Sequence, residues 1–218
     1  MTSESVVQRL AQVGVVPVIA IESAEAAVPL ADALIAGGLP VAEITFRTDA
    51  AAEVIRTLTR ERPDLLVGAG TVLTVDNLER AQAAGAKFIV APGFNPAVVR
   101  RAIELDLPVT PGVMTPSDIE GALAYGCKAL KFFPAGAAGG VAMLNAVAAP
   151  YRHTGVKFIP TGGVKPTNMA DYLACDAVMA VGGTWLAKTD AIAAGDWDRI
   201  TANCKEAMAI VAQVRREA

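Results

Sequence analysis

Three charged residues stand in runs of sequence that are otherwise apolar. Lys131 lies within Ala129-Leu130-Lys131-Phe132-Phe133-Pro134, and Glu43 and Arg47 within Val41-Ala42-Glu43-Ile44-Thr45-Phe46-Arg47. A lysine is almost never fully buried without a partner. Burial disfavours its charged form, and a neutral amine is a nucleophile toward carbonyl groups. In the other run, Val41, Glu43, Thr45 and Arg47 share one face of a strand, because side chains alternate with a period of two. The plain alternative is a structural pair, Glu43 with Arg47 or with Lys131, although buried ion pairs are weak stabilisers.

Two glycine pairs suggest an anion site. They are Thr161-Gly162-Gly163-Val164 and Val181-Gly182-Gly183-Thr184, separated by about the length of one strand–helix unit. Glycine lets backbone N–H groups approach an anion closely, and a following helix N-terminus favours negative charge. Simple tight turns are the alternative for each pair taken alone.

Something must hold these groups together. Eight short apolar runs read as strands: 15–21, 41–47, 66–71, 88–92, 107–111, 129–133, 156–161 and 177–182. Amphipathic, Ala-rich segments at 24–36, 50–60, 75–84, 97–104 and 116–125 read as helices between them, and residues 197–216 read as a closing C-terminal helix. Thr115-Pro116-Ser117-Asp118 and Asn95-Pro96 are helix starts, with a capping side chain followed by proline in the first turn. Strand–helix alternation on this scale predicts an α/β fold, a closed (β/α)8 TIM barrel occupying residues 1–218 as one domain. An open doubly wound sheet is the competing architecture. It would carry a glycine-rich fingerprint after its first strand, whereas Glu22-Ser23-Ala24-Glu25 contains no glycine. In a barrel, strands are buried on both faces and should be apolar. Polar residues at their C-terminal ends are where barrel active sites lie, with phosphate commonly bound after the seventh and eighth strands.

Composition narrows the chemistry. The chain has 218 residues, 53% of them hydrophobic and 19% charged, which excludes a disordered polar segment. The net charge of −3 offers no basic footprint, so neither nucleic acid nor an anionic membrane is expected as a partner. The uncharged stretch 132–151 is broken by Pro134, Gly136, Gly139, Gly140 and Pro150, so it is not a spanning helix. The N-terminus lacks the basic and apolar regions of a signal peptide. The single His153, before the seventh strand, is expected on the barrel's far face. Cys127, Cys175 and Cys204 have no CxxC spacing and read as reduced core thiols in the cytoplasm. No metal site and no cofactor is expected.

The chain resembles the 2-keto-3-deoxy-6-phosphogluconate aldolase family, class I pyruvate aldolases. The matching segments are Val16-Pro17-Val18-Ile19, Glu43-Ile44-Thr45-Phe46-Arg47-Thr48, Val67-Gly68-Ala69-Gly70-Thr71-Val72-Leu73, Ala91-Pro92-Gly93, Lys131-Phe132-Phe133-Pro134-Ala135, Pro160-Thr161-Gly162-Gly163-Val164 and Val181-Gly182-Gly183-Thr184-Trp185-Leu186. The resemblance implies Lys131 as the Schiff-base lysine and Glu43 as the general acid and base. It implies Arg47 and Thr71 on the substrate carboxylate, and Pro92 and Phe133 around the ketone. Gly162, Gly163 and Thr184 would bind phosphate, with Thr161 and Gly183 in the same substrate-binding set. Many members carry Ser where this chain has Thr184, which keeps the hydroxyl and adds a methyl. The activity implied is reversible cleavage of 2-keto-3-deoxy-6-phosphogluconate to pyruvate and D-glyceraldehyde 3-phosphate, by a homotrimer needing no cofactor. The alternatives are the same chemistry on 4-hydroxy-2-oxoglutarate or 2-keto-3-deoxy-6-phosphogalactonate, a phosphosugar isomerase, and a non-catalytic sugar-phosphate binding barrel.

Overall fold

The computed structural model describes residues 2–217. The chain alternates strands β1 (Val15–Ile19), β2 (Val41–Thr45), β3 (Leu66–Gly70), β4 (Ile89–Val90), β5 (Val109–Thr110), β6 (Gly112–Val113), β7 (Ala129–Phe132), β8 (Lys157–Pro160) and β9 (Val181–Gly183) with helices. The helices are α1 (Ser3–Val13), α2 (Ala27–Ala36), α3 (Ala51–Glu61), α4 (Val75–Ala83), α5 (Pro96–Glu104), α6 (Pro116–Ala124), α7 (Gly140–Ala148), α8 (Pro166–Leu173), α9 (Thr189–Ala193) and α10 (Trp197–Glu217). All named pairings are parallel, so every strand's C-terminal end faces the same rim.

Pairing runs β5-β4-β3-β2-β1-β9 on one side and β6-β7-β8 on the other. Two bridges, Phe158↔Val178 and Thr161↔Gly182, join β8 to the β9 segment. Across the remaining gap, β5 and β6 are one stretch of chain divided at Pro111, which has no N–H to donate. Its carbonyl still accepts from Lys131 N at 2.9 Å. Nine segments therefore make eight staves and a closed (β/α)8 barrel, as the alternating pattern predicts. The strands differ from expectation mainly at their ends, with β1 stopping at Ile19, β2 stopping at Thr45 so that Arg47 falls in the following turn, and β4 spanning only Ile89–Val90. The fifth continues beyond Pro111 to Val113, and regular pairing in the eighth begins at Val181, later than expected.

Helix ends follow their side chains. The Thr115 hydroxyl accepts from Asp118 N, while the Asp118 carboxylate accepts from the N–H groups of Met114 and Thr115, a reciprocal cap at the start of α6. Asn95 accepts from Ala97 N at the start of α5.

Helix α1 adds an element beyond the strand–helix alternation. Val6, Leu10 and Val13 recur at helical spacing and are buried. Arg215 of α10 donates to the carbonyls of Ala11 and Gln12, and Arg9 donates to Asp64 O at 2.6 Å. Leu10 reaches the barrel interior beside Val16, Phe88 and Ile159 and closes its N-terminal end. His153 is exposed in the 3-10 turn Ala149–Thr154 that leads into β8, away from the C-terminal rim.

Candidate active site

Five polar or charged side chains are buried among the described residues: Glu43, Thr45, Thr110, Lys131 and Thr161. Each sits on a barrel strand or just past its end, the distribution expected of a site recessed into a barrel. Lys131 projects from β7 and Glu43 from β2. Lys131 Nζ and Glu43 Oε1 face one another at 3.5 Å, with their side chains 6% and 4% exposed. Glu43 Oε1 accepts no hydrogen bond from any described residue. An unsatisfied buried carboxylate oxygen is costly in a purely structural pair. A residue that exchanges protons with a bound molecule requires such an open lone pair. Thr110 and Thr161 line the interior with this pair, around a void of about 10 Å³.

Gly70 sets how closely β3 approaches that carboxylate. A Cβ at this position would stand 2.6 Å from Glu43 Cγ and 2.7 Å from Glu43 Cδ, so only glycine leaves the side chain where it lies. Thr71, the next residue, has φ +54° although it is not glycine. Such conformations cost about 1–3 kcal/mol and persist where the surroundings enforce them.

The Phe133 ring lies beside the lysine, with its centroid 5.4 Å from Nζ. The same ring packs over Gly162, where a Cβ would come within 3.1 Å of it. The loop after β7 is tied to the loop after β8, with Ala135 N donating to Thr161 O and Gly136 N to Gly162 O, both at 2.8 Å. Gly162 and Gly163 have φ +86° and +84°, left-handed conformations that disfavour any residue with a Cβ. Both glycines sit at the rim, Gly162 beside the ring that faces the lysine and Gly163 against Gly136.

Arg47 lies in the turn after β2, and its Nε donates to Thr45 Oγ1 at 3.2 Å. It lines a rim cavity of about 390 Å³ with Val18, Ala20, Thr184 and Lys188. Pro92 follows β4 at the same rim and is half-buried. Gly183 is buried at the end of β9, against the Trp185 indole. The structure thus brings Lys131, Glu43, Phe133, Thr161 and Gly162 into one cluster and places Arg47 and Thr184 on a common cavity. Thr71 and Pro92 sit on the same rim at neighbouring strand ends. Thr110 and Lys188 carried no expected role. The polar Thr110 at a strand's C-terminal end was its visible signal, and Lys188 had only its closeness to Thr184.

Burial pushes the Cys127 thiol up to about 11 and the Cys204 thiol up to about 12. Thiolates are the reactive form, so these two are inert packing groups at neutral pH. No group of three or more His, Cys, Asp or Glu side chains able to hold a metal ion occurs among the described residues. No described helix is long and apolar enough to cross a membrane.

The sequence family described as KDPG and KHG aldolase matches residues 6–203. This chain belongs to the KDPG and KHG aldolase family. A Treponema pallidum relative named 2-dehydro-3-deoxy-phosphogluconate aldolase is 47% identical over 207 residues, covering 95% of this chain and 98% of the relative. An Escherichia coli relative named KHG/KDPG aldolase is 46% identical over 194 residues, covering 89% of this chain and 90% of the relative. Among solved structures, the KDPG aldolase of Legionella pneumophila superimposes with a TM-score of 0.88 at 39% identity, covering 94% of this chain and 97% of that one. That structure holds pyruvate captured at low pH as a covalent carbinolamine intermediate. The family fold is thus the closed barrel described above.

Proposed function

We propose that this chain is a class I aldehyde-lyase that cleaves 2-keto-3-deoxy-6-phosphogluconate reversibly to pyruvate and D-glyceraldehyde 3-phosphate. One observation carries the reading: a buried lysine amine and an otherwise unpartnered carboxylate oxygen face each other at 3.5 Å inside a barrel of this family.

With the proton shared by the pair resting on Glu43, the Lys131 amine attacks the substrate ketone at carbon 2, and Glu43 gives that proton to the carbinolamine hydroxyl, which leaves as water to form a protonated imine. Glu43 accepts the proton of the carbon-4 hydroxyl. The carbon 3–carbon 4 bond breaks, its electron pair passes toward the imine nitrogen, and the aldehyde product leaves. Glu43 returns its proton to carbon 3 of the enamine, and water hydrolyses the imine to pyruvate and free Lys131. Proton transfer of this kind is typically worth about 10²–10⁴-fold in rate. Arg47 and Thr71 hold the substrate carboxylate, the guanidinium offering two parallel hydrogen bonds. Pro92 and Phe133 flank the ketone. Gly162, Gly163 and Thr184 receive the phosphate, whose binding energy positions the reacting bond, with Thr161 and Gly183 in the same substrate-binding set.

Borohydride reduction in the presence of pyruvate should leave a mass adduct on Lys131, and the phosphorylated substrate should yield pyruvate in a coupled assay. No adduct, or an adduct on Lys128, overturns the lysine assignment. Turnover by isomerisation, or tight binding without turnover, would favour the isomerase or the non-catalytic reading. The Escherichia coli relative's double name supports testing 4-hydroxy-2-oxoglutarate beside the phosphorylated substrate, with 2-keto-3-deoxy-6-phosphogalactonate as a third, by kcat/KM. The reading treats residues 1–218 as one barrel domain working as a homotrimer. It places the protein in the cytoplasm, supported by its phosphorylated substrate and its unpaired cysteines. A stable monomer in sedimentation would refute the trimer.

A further inference from the structure

We propose that Thr45 is a positioning residue that fixes the direction of the Arg47 guanidinium and thereby sets affinity for the 2-keto acid's carboxylate; the proposal rests on the function just described. Thr45 is the last residue of β2 and is fully buried. Its hydroxyl donates to Ile19 O on β1 at 2.8 Å. A hydroxyl has one proton and two lone pairs, so with that proton committed it can only accept from the rim. It accepts from Arg47 Nε at 3.2 Å. Among the described residues no other hydrogen bond or ion pair holds Arg47.

The polarity of this chain is therefore fixed from the backbone outward: arginine Nε–H to threonine oxygen, threonine O–H to strand carbonyl. Engaging Nε leaves the two terminal nitrogens of the guanidinium for the cavity shared with Thr184 and Lys188. A long side chain at the end of a strand samples many rotamers, and ordering it is a cost that binding must otherwise meet. Thr48 ties the same turn to the segment that follows β1 by donating to Ile21 O at 2.7 Å, so the backbone is anchored independently of Thr45. The hydroxyl of Thr45 is the buried group that grips the arginine itself.

The experiment uses the full chain and three variants, Thr45→Val, Thr45→Ser and Arg47→Ala, with Thr45→Val also made in the Arg47→Ala background. The readouts are the half-saturating pyruvate concentration in borohydride trapping, and KM and kcat for cleavage. Thr45→Val keeps the shape and removes the hydroxyl. It should raise half-saturation and KM about tenfold, the scale of one hydrogen bond to a charged group, with kcat within about threefold. Thr45→Ser should restore both, and Thr45→Val should add nothing once Arg47 is alanine. An unmoved half-saturation in Thr45→Val, or an equal rise in the Arg47→Ala background, overturns the proposal. If Thr45→Val fails to fold, Thr45→Ala is read against the same outcomes. Failure of the parent chain to trap pyruvate would instead overturn the underlying function, and this proposal with it.

Discussion

Replacing Gly70 by alanine tests whether the position of the Glu43 carboxylate, and not merely its presence, supports turnover. The added Cβ would stand 2.6 Å from Glu43 Cγ, where ordinary contact begins near 3.4 Å. The Cγ must therefore retreat by about 0.8 Å, the difference of those two distances, and Oε1, which the added Cβ would overlap more closely still, by more. The obstructing atoms belong to a side chain, so the barrel survives, with a loss on the order of 1–3 kcal/mol for an overfilled interior. Chemistry is less tolerant, since a misplacement of about 1 Å can cost on the order of 10²-fold. Gly70→Ala should thus lower kcat by about 10²-fold while borohydride still traps pyruvate on Lys131. Pyruvate release coupled to lactate dehydrogenase gives kcat, intact mass gives the adduct, and urea unfolding gives stability. In a Glu43→Gln background, whose own kcat is already low, the same substitution should cost little more. A folded Gly70→Ala protein turning over within threefold of the parent would refute the reasoning, because the carboxylate would then be free to act from a displaced position.

The floor and the helix caps make two further predictions. Leu10→Ala should destabilise the protein by about 2–5 kcal/mol, as for a buried leucine whose site cannot collapse, measured by urea unfolding. A loss below about 1 kcal/mol would mean that α1 does not close the barrel. At α6, burial pushes the Asp118 carboxyl up, but hydrogen bonds from Met114 N, Thr115 N and the Thr115 hydroxyl outweigh it and hold it below the ordinary range. A depressed carboxyl contributes stability that is complete above its unfolded value near about 3.9 and is lost as pH falls through the folded value. The stability gap between the parent and Asp118→Asn should therefore be constant from about pH 8 to 5 and shrink below about pH 4. A gap that grows toward acid would contradict the sign.

Much of the site could be read before any coordinates, because a barrel strand has no place for a charge without a use. Glu43 and Lys131 broke the apolar pattern and meet inside the barrel, and the glycines at 162 and 163 adopt the conformations that such a loop demands. The sequence could not reveal distances between strands. Nothing in Gly68-Ala69-Gly70 says that the second glycine faces a glutamate one strand away, since that follows from the register pairing Glu43 with Gly68 and Thr45 with Gly70. In the fifth strand proline reads as a stop, whereas at Pro111 the carbonyl still pairs and only the amide is missing. The spacing of Val6, Leu10 and Val13 was visible, but its use as a floor depends on where the barrel's open end lies.

With Leu10 and its helix sealing one end, the barrel has a single doorway at the C-terminal rim, and traffic through it must queue. Under the proposed chemistry the three-carbon fragment is tethered to Lys131 in the depths, and the aldehyde lies between it and the door. The aldehyde leaves first and pyruvate last. Run in reverse, pyruvate must be seated before the aldehyde enters, and an aldehyde that arrives early obstructs the passage. The order of events is thus imposed by the architecture of the vessel as well as by the sequence of bonds.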